Sequence, residues 1–218
     1  MPKNPERRDQ LGDVALEVLA SEGSRGLTHR AVDQRAGLPA GTTANYYPSR
    51  ETLLTAAAER INARRWKEYQ ARWPISHVRT GPEGLSDALC ETLRAALTTN
   101  RERCLAVLEL SLEATRRPDL GELIAQNRRA QEKVVEGILQ ASGAHYGQAD
   151  LVALTTWVYG TILWLLTRPP SEPADDQLLA SLSRTTAYRF WHPSPSSLAP
   201  HEAGGSVAED SDDDLRRI

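Results

Sequence analysis

Three observations predict an all-α chain. Apolar residues recur at steps of three and four along most of the sequence, and the breaks between these stretches carry glycine, proline and capping hydroxyls. No run alternates apolar and polar residues with the β-branched and aromatic enrichment of a strand. The fold expected is a three-helix head of helix-turn-helix type followed by a larger helical domain.

The first helix is marked by Leu11, Ala15, Val18 and Leu19, and Gly23 offers the left-handed cap that ends it. A second starts behind Thr28, whose hydroxyl can cap free amides, and stops at Gly37 after about two turns. Leu38-Pro39-Ala40 makes a tight turn into a short segment from Gly41 to Tyr47, which Pro48 breaks. Ser49 caps again, and a long helix runs from Arg50 to about Trp73, carrying Trp66, Tyr69 and Trp73 at spacings of three and four. Those aromatics suit either core packing at a domain junction or the wall of a pocket.

Beyond the linker at 74–82, Leu85, Leu89, Leu93 and Leu97 form one stripe, and Leu105, Leu108 and Leu112 mark the next helix. Positions 120, 124, 127, 131, 134 and 138 mark a third. An apolar helix from Asp150 to Leu166 and a last one from Ala174 to Trp191 complete the series. Residues 193–218 hold too few apolar side chains to offset the entropy of ordering, so this acidic tail is expected to be disordered and dispensable for folding.

With 218 residues, 40% of them hydrophobic, the chain is long enough for one large or two smaller helical units. The stretch Leu151–Leu166, interrupted by Thr155, Thr156, Gly160 and Thr161, reads as too short and too polar for a membrane span. No apolar run follows the charged N-terminus, and the two cysteines, Cys90 and Cys104, make no disulfide framework, so a cytoplasmic protein with small buried thiols is expected. The net charge of −3 hides an asymmetry. Residues 1–73 carry twelve Lys or Arg against nine Asp or Glu, whereas the tail has six acidic residues against two arginines. This mild basic bias is not the signature of a non-specific nucleic-acid binder.

Two short helices around a glycine turn fit a helix-turn-helix over residues 28–47. The second of them, Gly41-Thr42-Thr43-Ala44-Asn45-Tyr46-Tyr47, lacks an apolar stripe and presents hydroxyls and an amide suited to base edges and phosphates. An ordinary solvated helical hairpin would satisfy the same spacing.

Residue identities go further than spacing. The amphipathic first helix, Gly23-Ser24-Arg25-Gly26-Leu27-Thr28, Ala36-Gly37-Leu38, Gly41-Thr42 and Tyr46-Tyr47-Pro48-Ser49-Arg50-Glu51-Thr52-Leu53-Leu54 occur in order. In them residues 7–54 resemble the N-terminal domain of the TetR (tetracycline repressor) family of bacterial transcription regulators. The run from Glu109 to Leu120, with Ala114-Thr115-Arg116-Arg117-Pro118-Asp119, is similar, more weakly, to that family's effector domain. The resemblance implies a homodimeric, ligand-responsive repressor that binds a palindromic double-stranded DNA operator and releases it to a small apolar effector. One departure stands at the recognition helix. Ala44 takes the place of an aromatic that often touches the DNA backbone in this family, and Tyr46 that of a histidine.

The DNA-binding candidates are Thr28, Arg30, Gly41, Thr42, Thr43, Asn45, Tyr46, Tyr47 and Arg50. Thr28 caps the second helix, whose amides and dipole then face a phosphate, and Arg30 reaches guanine or backbone. Thr42, Thr43 and Asn45 suit base edges, Asn45 best an adenine, while Gly41 permits close approach. Tyr46 and Arg50 suit phosphates. Tyr47 suits either a phosphate or the core of the head.

The five histidines lie scattered without metal-ligand spacing, and no phosphate loop or nucleophile elbow occurs, so neither a metal, a cofactor nor enzymatic activity is expected. The head is assigned to residues 1–50 and the ligand-binding and dimerisation domain to 51–192. Leu108, Asn127, Gln131, Trp157 and Thr161 are effector candidates. Asn127 and Gln131 interrupt an apolar stripe and need partners, from a neighbouring helix, water or a ligand. Gly160, Trp164, Leu178 and Leu182 are candidates for a two-fold interface, because the last two helices carry more apolar surface than one subunit readily covers. A small-molecule carrier whose head no longer reads DNA is the alternative, and Ala44 is the feature that favours it.

Overall fold

The computed structural model describes residues 4–72 and 78–191, with side chains for 4–63 and 78–191. Among the described residues it forms nine helices and no strand. They are α1 (Pro5–Gly26), α2 (His29–Arg35), α3 (Thr42–Tyr46), α4 (Arg50–Arg72), α5 (Pro82–Leu97), α6 (Arg101–Ala114), α7 (Pro118–Ala141), α8 (Gln148–Leu166) and α9 (Asp176–Phe190). The side chains of Trp66, Tyr69 and Trp73 and the tail at 193–218 lie outside the described residues.

The helix ends follow the local chemistry. The Asn4 side chain accepts from the Glu6 amide at 2.9 Å to start α1, and Gly23, at φ +70°, breaks it one turn before its end. Thr28 Oγ1 accepts from the Ala31 amide at 3.1 Å and caps α2 as the sequence predicts. The turn that follows uses Gly37 at φ +66° and Gly41 at φ +89°, backbone that a side chain would strain. Asp175 caps α9 by accepting from the Leu178 amide at 2.7 Å.

One apolar cluster joins the head to the rest of the chain. Leu11, Ala15, Val18 and Leu19 of α1 pack with Val32, Tyr47 and the α4 residues Leu53, Leu54, Ala57 and Ile61. Ala106, Val107 and Leu110 of α6 and Leu120 of α7 belong to the same cluster. The first three helices thus bury their apolar sides only together with α4 and α6. A second cluster gathers Leu85 and Leu89 of α5, Ile138 and Leu139 of α7, and Leu151, Leu154 and Val158 of α8, with Ala187 of α9. A third sits between α5, α8 and α9 around Leu93, Leu165 and Leu179.

Three expectations change in the folded chain. The α6 stripe Leu105–Leu108–Leu112 is not the inward face: Ala106, Val107, Leu110 and Glu113 are buried, and Leu112 is 62% exposed. Small Ala106 lets α6 approach α1 closely, and the carboxylates on that side find partners across the contact, so the leucine spacing was a poor guide. The apolar helix α8, at 19 residues and a mean hydropathy of 1.5, is long and apolar enough by length and composition to cross a membrane. The helix begins at Gln148, three residues before the Leu151–Leu166 stretch. Here α8 packs against α5, α6 and α7. Cys90 and Cys104 are half-buried free thiols rather than core residues.

The end of the molecule away from the head is tied at one carbonyl. Ser142, which closes α7, accepts from the Gly81 amide at 2.8 Å and from Trp191 Nε1 at 3.1 Å. The starts and ends of α5, α7 and α9 meet there.

Candidate nucleic-acid interface and effector region

The surface formed by α2 and α3 exposes Thr28, Arg30 and Gln34 from α2 and its cap, and Gly41, Ala44 and Asn45 from α3 and its cap. Thr42 and Tyr46 are half-buried beside them. The Thr42 hydroxyl donates to the Pro39 carbonyl at 2.6 Å, leaving its lone pairs as acceptors. Tyr46 leans on the head cluster. The exposed set contains hydrogen-bonding groups of both kinds on a rigid pair of helices, as readout in a major groove requires.

Three of the sequence candidates point inward. Thr43 is fully buried and bonded to Asp33, so it does not face a base edge. Tyr47 is 3% exposed and its hydroxyl donates to the Arg8 carbonyl at 2.8 Å, which makes it the core aromatic of the head. The Arg8 guanidinium lies 5.4 Å from its ring centroid. Arg50 Nη2 donates to the Ser24 carbonyl at 2.5 Å and stands 3.7 Å from Glu113, which directs it into the protein rather than to a phosphate. Thr43 and Arg50 share one cause: the first turn of a helix also faces the neighbouring helices, and a polar side chain there can be recruited inward. For Tyr47, the C-cap of α3, the core alternative is the one realised.

Sequence reasoning passed over Asp33. Its carboxylate, 2% exposed, accepts from the Gly41 amide at 2.7 Å, the Thr43 amide at 2.7 Å and the Thr43 hydroxyl at 2.5 Å. Burial pushes this carboxyl up, but the Thr43 hydroxyl and the two amides, aided by His29, more than reverse that and hold it below the ordinary aspartate range. His29 Nε2 lies 2.6 Å from the Tyr47 carbonyl. The available signal was an acid four residues before the turn glycine Gly37, ahead of a short helix whose cap position, Gly41, has no side chain.

A polar junction connects the head to α6 and α7. The Ser24 amide donates to Glu109 at 2.9 Å and the Ser24 hydroxyl to Glu113 at 2.8 Å. Arg117 reaches Glu113 at 3.2 Å and Glu51, in the first turn of α4, at 2.9 Å. The Ser24 hydroxyl above all, then Arg117 and the charge of Arg50, hold the Glu113 carboxyl below the ordinary glutamate range against the opposing effect of burial. A depressed carboxyl stabilises the fold fully above its unfolded pKa, about 4.3, and loses that contribution as pH falls through the folded value. Urea unfolding of wild type and Glu113→Gln should therefore differ most near neutral pH, and the difference should shrink steadily below about pH 4. A gap that stayed constant down to about pH 3 would contradict this.

Of the effector candidates, Asn127 is buried on α7 and Leu108, Gln131, Trp157 and Thr161 are half-buried. Trp157 touches both the second and the third cluster. Two buried hydroxyls, Thr155 on α8 and Ser183 on α9, have no hydrogen-bond partner among the described residues, a cost of about 1–3 kcal/mol each. On the outer side of α8, Val152, Thr156, Gly160 and Leu163 step by four and three, with Trp164 beside them under the Arg168 guanidinium. Val152, Leu163 and Trp164 are each close to half exposed. Leu178 and Leu182, by contrast, pack part-buried against the Leu93–Leu165–Leu179 cluster of their own subunit.

Comparison with known proteins agrees with this architecture. Residues 80–187 match the family model described as tetracyclin repressor-like, C-terminal domain. The chain is 29% identical over 171 residues to an uncharacterized HTH-type transcriptional regulator in the dhlA 5′ region of Xanthobacter autotrophicus, covering 78% of this chain and 84% of that one. It is similar to the crystal structure of multidrug binding protein EbrR complexed with imidazole, with a TM-score of 0.65 and 26% identity over 89% of this chain and 96% of that one. A TetR-family member from Streptomyces coelicolor A3 superposes with a TM-score of 0.63 and 25% identity, covering 86% and 99%. Head, turn geometry and helical domain agree with these matches: residues 80–187 form a C-terminal domain of the tetracyclin repressor type, and the chain as a whole is similar in sequence and fold to TetR-family transcriptional regulators.

Proposed function

We propose that the chain is a repressor that binds a palindromic operator as a homodimer in the cytoplasm and leaves it when a small, largely apolar molecule enters the helical domain. The observation that carries this reading is the α2–α3 surface. Arg30, Gln34 and Asn45 stand exposed on helices whose caps and turn are all bonded within the head. Such a surface can read bases without first ordering itself.

Effector binding is supported by Asn127 and by the unpartnered Thr155 hydroxyl on α7 and α8, two helices that pack together, with Trp157 nearby in sequence. The relative named a multidrug binding protein supports a small-molecule ligand for this domain. Dimerisation is supported by the apolar outer side of α8, where Gly160 leaves room for a second helix. The ligand acts on DNA affinity only through its different affinity for two head arrangements, a coupling of about 1–3 kcal/mol.

Selection from a random duplex pool tests the reading. A roughly palindromic motif should emerge, with half-sites about 34–36 Å apart or somewhat more. Asn45→Ala should cost about 1–3 kcal/mol at its cognate base and relax the preference there. Arg30→Ala, if its contact is a phosphate, should weaken all sequences alike and reduce the salt slope by about one. No enriched motif would point instead to a small-molecule carrier, the reading that Ala44 favours.

A further inference from the structure

We infer that Asp33 is the positioning residue of the recognition helix, and that its grip on Gly41 and Thr43 determines which sequence the head can read. The inference rests on the DNA-binding reading of the α2–α3 surface and goes beyond it, because Asp33 itself is buried and meets no base.

The α3 helix has five residues, far below the length at which a helix is stable alone. Its cap residue, Gly41, has no side chain to hold the free amides. Asp33, the fifth residue of α2, supplies what is missing. One carboxylate oxygen takes the Gly41 amide and the other takes both the amide and the hydroxyl of Thr43. The main-chain carbonyl of the same residue accepts from the Leu38 amide at 2.9 Å. A single residue of α2 therefore holds both the entry to the turn and the start of α3.

Helical geometry converts this grip into direction. Successive residues turn by about 100°, so Asn45 projects about 200° around the axis from Thr43. Drawing Thr43 fully inward thus aims Asn45 outward, and the exposure of the two residues agrees. A helix with little more than one turn has no other internal means of resisting rotation about its axis. Loss of the grip would leave Asn45 present and mis-aimed, which reduces readout of bases while leaving phosphate contacts from other positions in place.

Two near-isosteric variants of the full chain test the inference. Asp33→Asn must turn its amide nitrogen toward either Gly41 N–H or the Thr43 donors, so at least one hydrogen bond becomes a donor–donor contact. Thr43→Val removes only the hydroxyl and serves if the first variant fails to fold. Affinity is measured for the duplex selected by the wild type and for a scrambled duplex, each across a range of salt. Expected for Asp33→Asn is a loss of about tenfold or more on the selected duplex, about twofold or less on the scrambled one, and an unchanged salt slope. Thr43→Val should move the same ratio in the same direction by less. Amide hydrogen exchange in Asp33→Asn should rise at Gly41 and Thr43 and not in α1.

Unchanged discrimination in both variants, or equal losses on both duplexes, overturns the inference and leaves Asp33 an ordinary structural acid. A wild-type chain that selects no duplex at all is a different result, and it removes the DNA-binding reading together with this one.

Discussion

Gly160→Trp should turn the protein monomeric and abolish operator binding while leaving the single chain folded. A Cβ added at Gly160 meets no atom within 4 Å, so the subunit itself accommodates the larger residue. Replacing glycine inside a helix by tryptophan also recovers about 0.5 kcal/mol of helix propensity, which favours the isolated fold. Between two copies the balance reverses. Helices that pack approach to about 8–10 Å, and an indole at the crossing point prevents that approach. With only one head per particle the advantage of a linked second half-site disappears, a loss of about 100-fold or more in affinity. Sedimentation and thermal unfolding on the same sample read both effects. A monomeric variant that kept full operator affinity would sink the dimer account, and a variant that remained dimeric would move the interface away from α8.

Tyr47 separates packing from phosphate contact. Its ring is nearly inaccessible at the centre of the first cluster, between α1 and α4. Tyr47→Ala should cost about 3–5 kcal/mol, enough to unfold a marginal head. Tyr47→Phe keeps the ring and loses one hydrogen bond to the Arg8 carbonyl, about 1 kcal/mol. Because the hydroxyl faces inward, the salt dependence of DNA binding by Tyr47→Phe should equal that of wild type. A slope reduced by about one would return Tyr47 to the phosphate-contacting set.

The boundaries of the helices were readable because their signals are local. Thr28, Gly37, Gly41 and Pro48 each act on the few residues beside them, and the folded chain uses them as a reading of the sequence suggests. What failed was whatever depends on a distant partner. Arg50 looks like a phosphate ligand until Ser24 and Glu113, distant in sequence, are placed beside it. The leucines of α6 look like a core stripe until α1 claims the opposite side of the helix. Thr43 was misjudged for the same reason at shorter range, since the acid that draws it inward sits across a turn. The α8 surface was partly legible. Gly160 and Trp164 are exposed there, whereas Leu178 and Leu182 are engaged within their own subunit.

The shared acceptor at Ser142 makes the helical domain a lever with its fulcrum at the end away from the head. With α5, α7 and α9 gathered on that carbonyl, the far tip has little freedom to slide. The 24 residues of α7 span about 36 Å from there to the start of the helix, where Leu120 joins the head cluster and Arg117 holds Glu51. A swing of about 5° about the fulcrum displaces that near end by about 3 Å. Under the proposed reading, small rearrangements around a molecule lodged midway would be enlarged where they meet the head, and they would reach the first turn of α4 through two pairs, Arg117 with Glu51 and Glu113 with Arg50.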